Sequence, residues 1–412
     1  MTRPDSNAQP ASAEALRPHF ETLAVRTQVP RTAEREHSVP LFLTSSFVFD
    51  SAEHARALFA DEVEGNVYSR YANPNTDEFV HKLCALEGAE DGLATASGMA
   101  AVFTALASRL SAGDHVLASR ALFGSTHQIL TRILPKWGVT WSYADATNPE
   151  SWTSQITAST RMLFVETPSN PGLELVDLAW LGALARERGI PLVVDNCFAT
   201  PYLQRPLEWG ASLVVHSATK FIDGQGRTLG GAIVGDKAMV ADARYFARHT
   251  GPALSPFNAW TLSKSLETLA VRMDRHCANA LALATHFEGH PELESVRYPF
   301  LASHPQHALA TRQMRAGGGI VVLVLRGGIE RCRRFLDALR LCSHSPNLGD
   351  TRTIVTHPTS TTHSKLTEDE RRQVGIVPGL VRISVGLEQV SDVIADLEQA
   401  LVGSSTPVER VG

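Results

Sequence analysis

Four short apolar runs, each closed by residues able to do chemistry or turn the chain, constrain the fold more than any other feature. They are His115-Val116-Leu117-Ala118, Met162-Leu163-Phe164-Val165, Pro191-Leu192-Val193-Val194 and Ser212-Leu213-Val214-Val215. A run of this length, rich in β-branched types and without polar alternation, reads as a strand buried on both faces. Between the runs lie longer segments with helical spacing. Leu178 to Arg188, for instance, places Leu181, Leu184 and Ala185 on one face. From about Tyr68 to Gly235 the alternation predicts βαβ units around a mostly parallel sheet with right-handed crossovers.

Size and composition set the outer limits. With 412 residues, 43% of them hydrophobic, the chain can bury a large core and is long enough for two domains. A net charge of −5 with dispersed basic residues leaves no electrostatic footprint for nucleic acid or an anionic membrane. Cys84, Cys197, Cys277, Cys332 and Cys342 are odd in number and lack C-x-x-C spacing. That argues against a disulfide framework or a zinc site and for a reducing cytoplasm. No apolar stretch approaches the roughly 18 residues of a membrane helix. The leader carries Asp5 and Glu14 and has no signal-peptide core.

The expected organisation is a disordered leader at 1–19, an arm over 20–65 that packs on something else, a large α/β domain over 66–255, a smaller α+β domain over 256–403 and a tail at 404–412. Within the smaller domain, Ala259 to His286 reads as one long helix, Gly319 to Leu325 and Leu380 to Val385 as strands, and Val390 to Leu401 as a closing helix.

Candidate chemistry concentrates at two neighbouring strand ends. Ser212 to Val215 runs into Ser217-Ala218-Thr219-Lys220, and ligands of open α/β sheets sit at the C-terminal ends of strands. Ser217 and Thr219 offer hydroxyls to a phosphate, while a desolvated Lys220 can lose its proton and attack a carbonyl. Asp195 follows Pro191 to Val194 directly. A cofactor joining an aldehyde to a pyridine ring needs both groups, an amine to bond it and a carboxylate to keep its ring nitrogen protonated. The same residues also fit a strand leaving the core, with Lys220 solvated and Asp195 capping a helix. Ala96-Ser97-Gly98-Met99-Ala100-Ala101 opens a helical segment running to Leu110. Its N–H groups could form an anion site, or Ser97 could be an ordinary N-cap. Tyr68-Ser69-Arg70-Tyr71-Ala72-Asn73-Pro74 is a polar turn in which Arg70 offers a planar fork.

Taken in order, six motifs resemble the Cys/Met-metabolism family of pyridoxal-phosphate enzymes. They are Tyr68 to Pro74, Ala96-Ser-Gly-Met99, Glu166-Thr-Pro-Ser-Asn-Pro171, Val193-Val-Asp-Asn196, Ser217-Ala-Thr-Lys220 and Pro358-Thr-Ser-Thr-Thr-His-Ser364, and the similarity runs from Phe20 to Leu401. The resemblance implies the pyridoxal-phosphate fold type I, aspartate-aminotransferase-like. It further implies that Lys220 holds pyridoxal 5'-phosphate covalently and shuttles protons, that Asp195 pairs with the ring nitrogen, and that Ser217, Thr219, Gly98 and Met99 bind the phosphate. Tyr68 and Arg70 would reach the phosphate of a neighbouring subunit, in catalytic dimers that assemble into homotetramers. Arg382 would bind the substrate's α-carboxylate with help from Asn170 and Asn347. Apart from the resemblance, Arg382 fits a strand-edge arginine in a surface salt bridge.

Within the family, Asp223-Gly-Gln-Gly-Arg227 with Gly230-Gly231, and Ser345-Pro-Asn-Leu-Gly-Asp350, look most like the O-succinylhomoserine sulfhydrylase branch. The implied activity is a γ-replacement, in which sulfide displaces succinate from O-succinylhomoserine to give homocysteine. Arg227 is a candidate for the succinyl carboxylate or a turn arginine in a Gly-rich loop. Cystathionine γ-synthase, O-acetylhomoserine sulfhydrylase and a γ-lyase are the neighbouring alternatives, and a non-catalytic cofactor-binding regulator is the alternative of another class. Two positions depart from the family pattern. Phe123 stands where the lyases place a tyrosine over the ring, so it can stack but not donate a proton, and Asn347 stands where a serine is usual.

Overall fold

The computed structural model describes residues 18–361, 364, 367, 368, 371 and 375–405. The expected leader up to 17, positions 362 and 363 of the last motif, and the tail from 406 lie outside the described residues. Seven strands form one sheet: β1 (Asp91–Thr95), β2 (His115–Ser119), β3 (Thr140–Ala144), β4 (Thr160–Glu166), β5 (Leu192–Asp195), β6 (Leu213–Ser217) and β7 (Gly231–Gly235). Their order is β1-β7-β6-β5-β4-β2-β3. β7 is antiparallel to both neighbours and the remaining pairs are parallel, the α/β arrangement of fold type I.

The four apolar runs become β2, β4, β5 and β6 in the sheet interior. Phe164, Val193 and Val215 pack on one face with the helices Gly98–Ala107 and Lys237–Thr250. On the other face, Leu163 and Val194 meet the helix Leu178–Arg188, and Val214 joins Phe79, Val80 and Leu83 of the helix Pro74–Glu87. Full burial of each such side chain stabilises by about 1.5–3 kcal/mol. β5 and β6 reach further than the apolar letters suggest, so that Asp195 and Ser217 are the last residues of their strands.

Three strands, β1, β3 and β7, carry no long apolar run. β7 reads Gly-Ala-Ile-Val-Gly, and a Cβ at Gly231 would run into the carbonyl of Ser97. Its low β-propensity is the cost of lying flush against the start of a helix.

The second sheet contains β8 (Leu293–Arg297), β9 (Ile320–Leu325), β10 (Ser343–His344), β11 (Ile354–Thr356) and β12 (Leu380–Ser384), in the order β10-β11-β12-β9-β8. It shares a core with the helices Leu269–Phe287, Gly328–Ala338 and Val390–Ser405. The single helix expected over Ala259 to His286 is two, Pro256–Leu266 and Leu269–Phe287. At the break the Ser265 carbonyl accepts from the Thr268 hydroxyl at 3.2 Å and from Arg272 Nη2 at 2.9 Å, which diverts it from the helical ladder. Among the described residues no helix is long and apolar enough to cross a membrane.

Candidate active site

The C-terminal ends of β4, β5 and β6 open onto a cavity of about 520 Å³, closed on the side of the second sheet by Pro346, Asn347, Leu348 and Arg382. Lys220, Asp195, Ser217, Thr219, Gly98 and Met99 line it, as do Phe123, Asn170, Asn347 and Arg382. Residues singled out along more than 280 positions of sequence therefore face one space.

One end is suited to an anion. Gly98 begins a ten-residue helix whose first N–H groups have no intrahelical acceptor. The Ser97 hydroxyl does cap that helix, accepting from Ala100 N at 3.1 Å, so the capping and anion-binding roles coexist. A Cβ on Gly98 would lie 2.5 Å from Ser217 Cβ and 2.8 Å from Ser217 Oγ, so only glycine lets the helix start sit beside that hydroxyl. The Thr219 hydroxyl is braced against Gly230, donating to its carbonyl at 3.2 Å and accepting from its N–H at 3.1 Å.

At the centre, Asp195 Oδ1 accepts from Cys197 N at 3.1 Å. Burial pushes this carboxyl up to about 6, against the pull of the Cys197 N–H and of His216. A protonated ring nitrogen beside it would return it to the ionised state. Lys220 lies three residues beyond the end of β6. Its ammonium is held below the ordinary lysine range by burial first, with Arg382 adding to the shift and Cys197 opposing it. Lys220 Nζ donates to Asn347 Oδ1 at 2.6 Å.

The third element is Arg382, only 1% exposed, on β12 between β9 and β11. That position corrects the edge-strand alternative, because β12 is interior and the guanidinium is sealed from solvent. Arg382 Nη1 donates to Asn170 Oδ1 at 3.0 Å, and Nη2 to the carbonyls of Asn347 at 3.0 Å and Pro346 at 3.3 Å. Its Nε has no partner among the described residues. Burial lowers the guanidinium to about 10, which still leaves it a cation at neutral pH. Asn347 thus bonds the lysine through its side chain and meets Arg382 through its backbone. Gly349, at φ +75°, packs so closely that a Cβ would lie 2.5 Å from Phe221 N and 2.8 Å from the Lys220 carbonyl carbon.

Tyr68 and Arg70 are elsewhere, on the exposed surface beside the arm. Arg70 bonds the Arg248 carbonyl and stacks on Tyr71, with 4.8 Å from Cζ to the ring centroid. Arg227 is likewise absent from the cavity, which corrects its suggested role within its own chain. It pairs with Asp223 at 3.0 Å and bonds Ser265, because the Gly-rich loop folds it back on the residue four positions earlier.

Several lining residues had no assigned role in the sequence, Glu166, Cys197, Ser125 and Leu229 among them. Glu166 was the detectable one, because it ends the strand next to that of Asp195 and faces it in register. Burial pushes its carboxyl well up, and Asp195 adds to the shift.

A lysine amine, a carboxyl on the neighbouring strand end and a helix start shaped by glycine fit the aldehyde, ring nitrogen and phosphate of pyridoxal phosphate. The family model for Cys/Met-metabolism pyridoxal-phosphate-dependent enzymes matches residues 21–402. An O-succinylhomoserine sulfhydrylase of Pseudomonas aeruginosa is 48% identical over 93% of this chain and 95% of its own length. A methionine γ-lyase of Pseudomonas putida is 43% identical, covering 89% of this chain and 92% of that one. Among solved structures, a Campylobacter jejuni chain named as an O-acetylhomoserine (thiol)-lyase, carrying N'-pyridoxyl-lysine-5'-monophosphate, superposes with a TM-score of 0.90. It is 33% identical, over 93% of this chain and 99% of that one. With an amine, a carboxyl and an anion cradle in one cavity and relatives that match nearly end to end, this chain belongs to the Cys/Met-metabolism family of pyridoxal-phosphate-dependent enzymes.

Proposed function

We propose that the enzyme performs a γ-replacement, converting O-succinylhomoserine and sulfide to homocysteine and succinate. The observation that carries this is the convergence on Asn347, whose side chain takes the Lys220 amine while its carbonyl takes the Arg382 guanidinium. An amino acid anchored at Arg382 then presents its Cα to the amine. The choice of ester is supported by two sulfhydrylase relatives, at 48% and 46% identity, that are named for the succinyl substrate. Phe123 in the ring-stacking position supports replacement over the lyase chemistry that a tyrosine acid would serve.

Bound through Lys220, pyridoxal phosphate supplies a ring that draws electrons from the substrate's Cα and Cβ. Arg382 and Asn170 fix the α-carboxylate. Asp195 holds a proton on the ring nitrogen, and Gly98, Met99 and Ser217 hold the phosphate. The Lys220 amine, freed by the substrate's amine, would pass the Cα proton on to the cofactor and, neutral again, take a second proton from Cβ. The Cγ–O bond breaks and succinate leaves with its electron pair. Sulfide forms the new Cγ–S bond, and Lys220 returns the protons to Cβ and Cα. Tyr68 and Arg70, outside their own cavity, are assigned to the phosphate of a second copy, in a cytoplasmic homotetramer of catalytic dimers.

The test is steady-state turnover of O-succinyl- and O-acetylhomoserine with sulfide or cysteine. Homocysteine and succinate from the succinyl ester and sulfide are expected as the fastest reaction. A thioether formed only with cysteine would identify a cystathionine γ-synthase instead, and 2-oxobutyrate formed without any thiol would identify a γ-lyase.

A further inference from the structure

We infer that Glu166 is a positioning residue that ties the ring-stacking side of the cavity to its carboxylate clamp. The inference rests on the cavity being the cofactor and amino-acid site proposed above. Glu166 is 5% exposed and stands at the end of β4, directly opposite Asp195 across the parallel pair. Its two oxygens are divided between two walls. Oε2 accepts from Phe123 N at 2.7 Å, and Oε1 accepts from Asn170 N at 3.0 Å. Phe123 faces the ring position, while Asn170 in turn accepts from Arg382 Nη1 at 3.0 Å. The path from ring face to substrate carboxylate therefore runs Phe123, Glu166, Asn170, Arg382 through three hydrogen bonds.

Burying a carboxyl beside a second carboxyl costs stability, and an apolar side chain of similar size would avoid that cost. What an apolar residue cannot do is satisfy two backbone N–H groups from different loops at once. Both donors are backbone groups, so movement of either loop is transmitted to the other without a side-chain rotamer to absorb it. A glutamine at this position has one acceptor oxygen, and its NH2 would confront one of the two N–H donors. Glu166→Gln should thus release either the ring wall or the clamp while leaving the strand in place. When a substrate carboxylate pulls on Arg382 and Asn170, the intact carboxyl carries the shift to Phe123 and aligns the Cα bond with the ring.

The test is a double-mutant cycle between Phe123→Leu and Asn170→Ala on the cofactor-loaded enzyme, run in the native and Glu166→Gln backgrounds. In the native background the two substitutions should be non-additive in kcat/KM by about fivefold or more; in Glu166→Gln they should add within about twofold. The same coupling in both backgrounds, or additivity in both, overturns the inference. Should Glu166→Gln not fold, Asn170→Ala alone decides. It lies on the carboxylate side, and if its loop is tied to the ring wall it should alter the visible circular dichroism of the resting cofactor. An unchanged band overturns the inference while leaving the cofactor site intact. A native protein with no cofactor band at all would overturn the proposed site, and the inference with it.

Discussion

Replacing Asn347 by alanine separates the contact its side chain makes with Lys220 from the contact its backbone makes with Arg382. The Asn347 amide oxygen accepts from Lys220 Nζ at 2.6 Å, whereas Arg382 is held by the backbone carbonyls of Asn347 and Pro346, which alanine leaves unchanged. A hydrogen bond from a charged amine contributes about 1.5–3 kcal/mol, so loss of this one should slow kcat roughly ten- to a hundredfold. The sign of the pH effect also follows. An acceptor facing the amine stabilises the ammonium, so its removal makes the amine less basic and moves the acid limb of kcat toward lower pH. Affinity for the substrate carboxylate should change less than about threefold, since no bond to Arg382 is removed. The measurement is a kcat and KM profile across pH, with the inhibition constant of an unreactive amino acid such as glycine. If that constant weakened tenfold while the acid limb stayed in place, Asn347 would be a carboxylate ligand and the assignment to Lys220 would be wrong.

Three further outcomes follow from other parts of the site. Gly98→Ala should cost about 1–3 kcal/mol in urea unfolding and speed cofactor loss, because its methyl overlaps Ser217; equal cofactor retention would refute the packing account. In the cofactor-free protein, the Asp195 carboxyl binds a proton up to about 6 against an ordinary 3.8, so the folded state holds the extra proton. Stability should therefore fall as pH rises through that window, and Asp195→Asn should make the fall shallower without abolishing it, because burial also pushes up the Glu166 carboxyl; parallel native and variant curves would contradict it. Finally, Lys220→Ala and Arg70→Ala chains, each inactive alone, should regain about a quarter of native activity when co-assembled, if Arg70 serves a partner's site. No recovery would place Arg70 in its own site or in none.

The legible parts of the fold were those where burial and local propensity agree. Leu163, Val193 and Val215 sit on strands packed on both faces, so the letters themselves are apolar and β-branched. β7 was hidden because its glycines serve a close approach to Ser97, a tertiary demand that overrides strand composition. The helix break at Thr268 was hidden for a similar reason, since it depends on where Arg272 sends its guanidinium. In the site, Lys220 and Asp195 were visible because strand ends announce themselves. Glu166 was quoted within a motif yet given no task, because its donors, Phe123 and Asn170, come from two different loops. That Asn347 meets Lys220 through its side chain and Arg382 through its backbone is a distinction that spacing does not encode.

Gly349 has a bearing on how the enzyme is made as well as how it works. The loop it belongs to rests on the backbone of Lys220 and Phe221, and Asn347 reaches a lysine 127 positions earlier in the chain. A growing chain that has emerged only as far as β7 owns the lysine, the carboxyl and the phosphate cradle, but neither the clamp nor the amine's acceptor. The acceptor of the lysine amine and the buried guanidinium are thus both supplied by the part of the chain that follows β7.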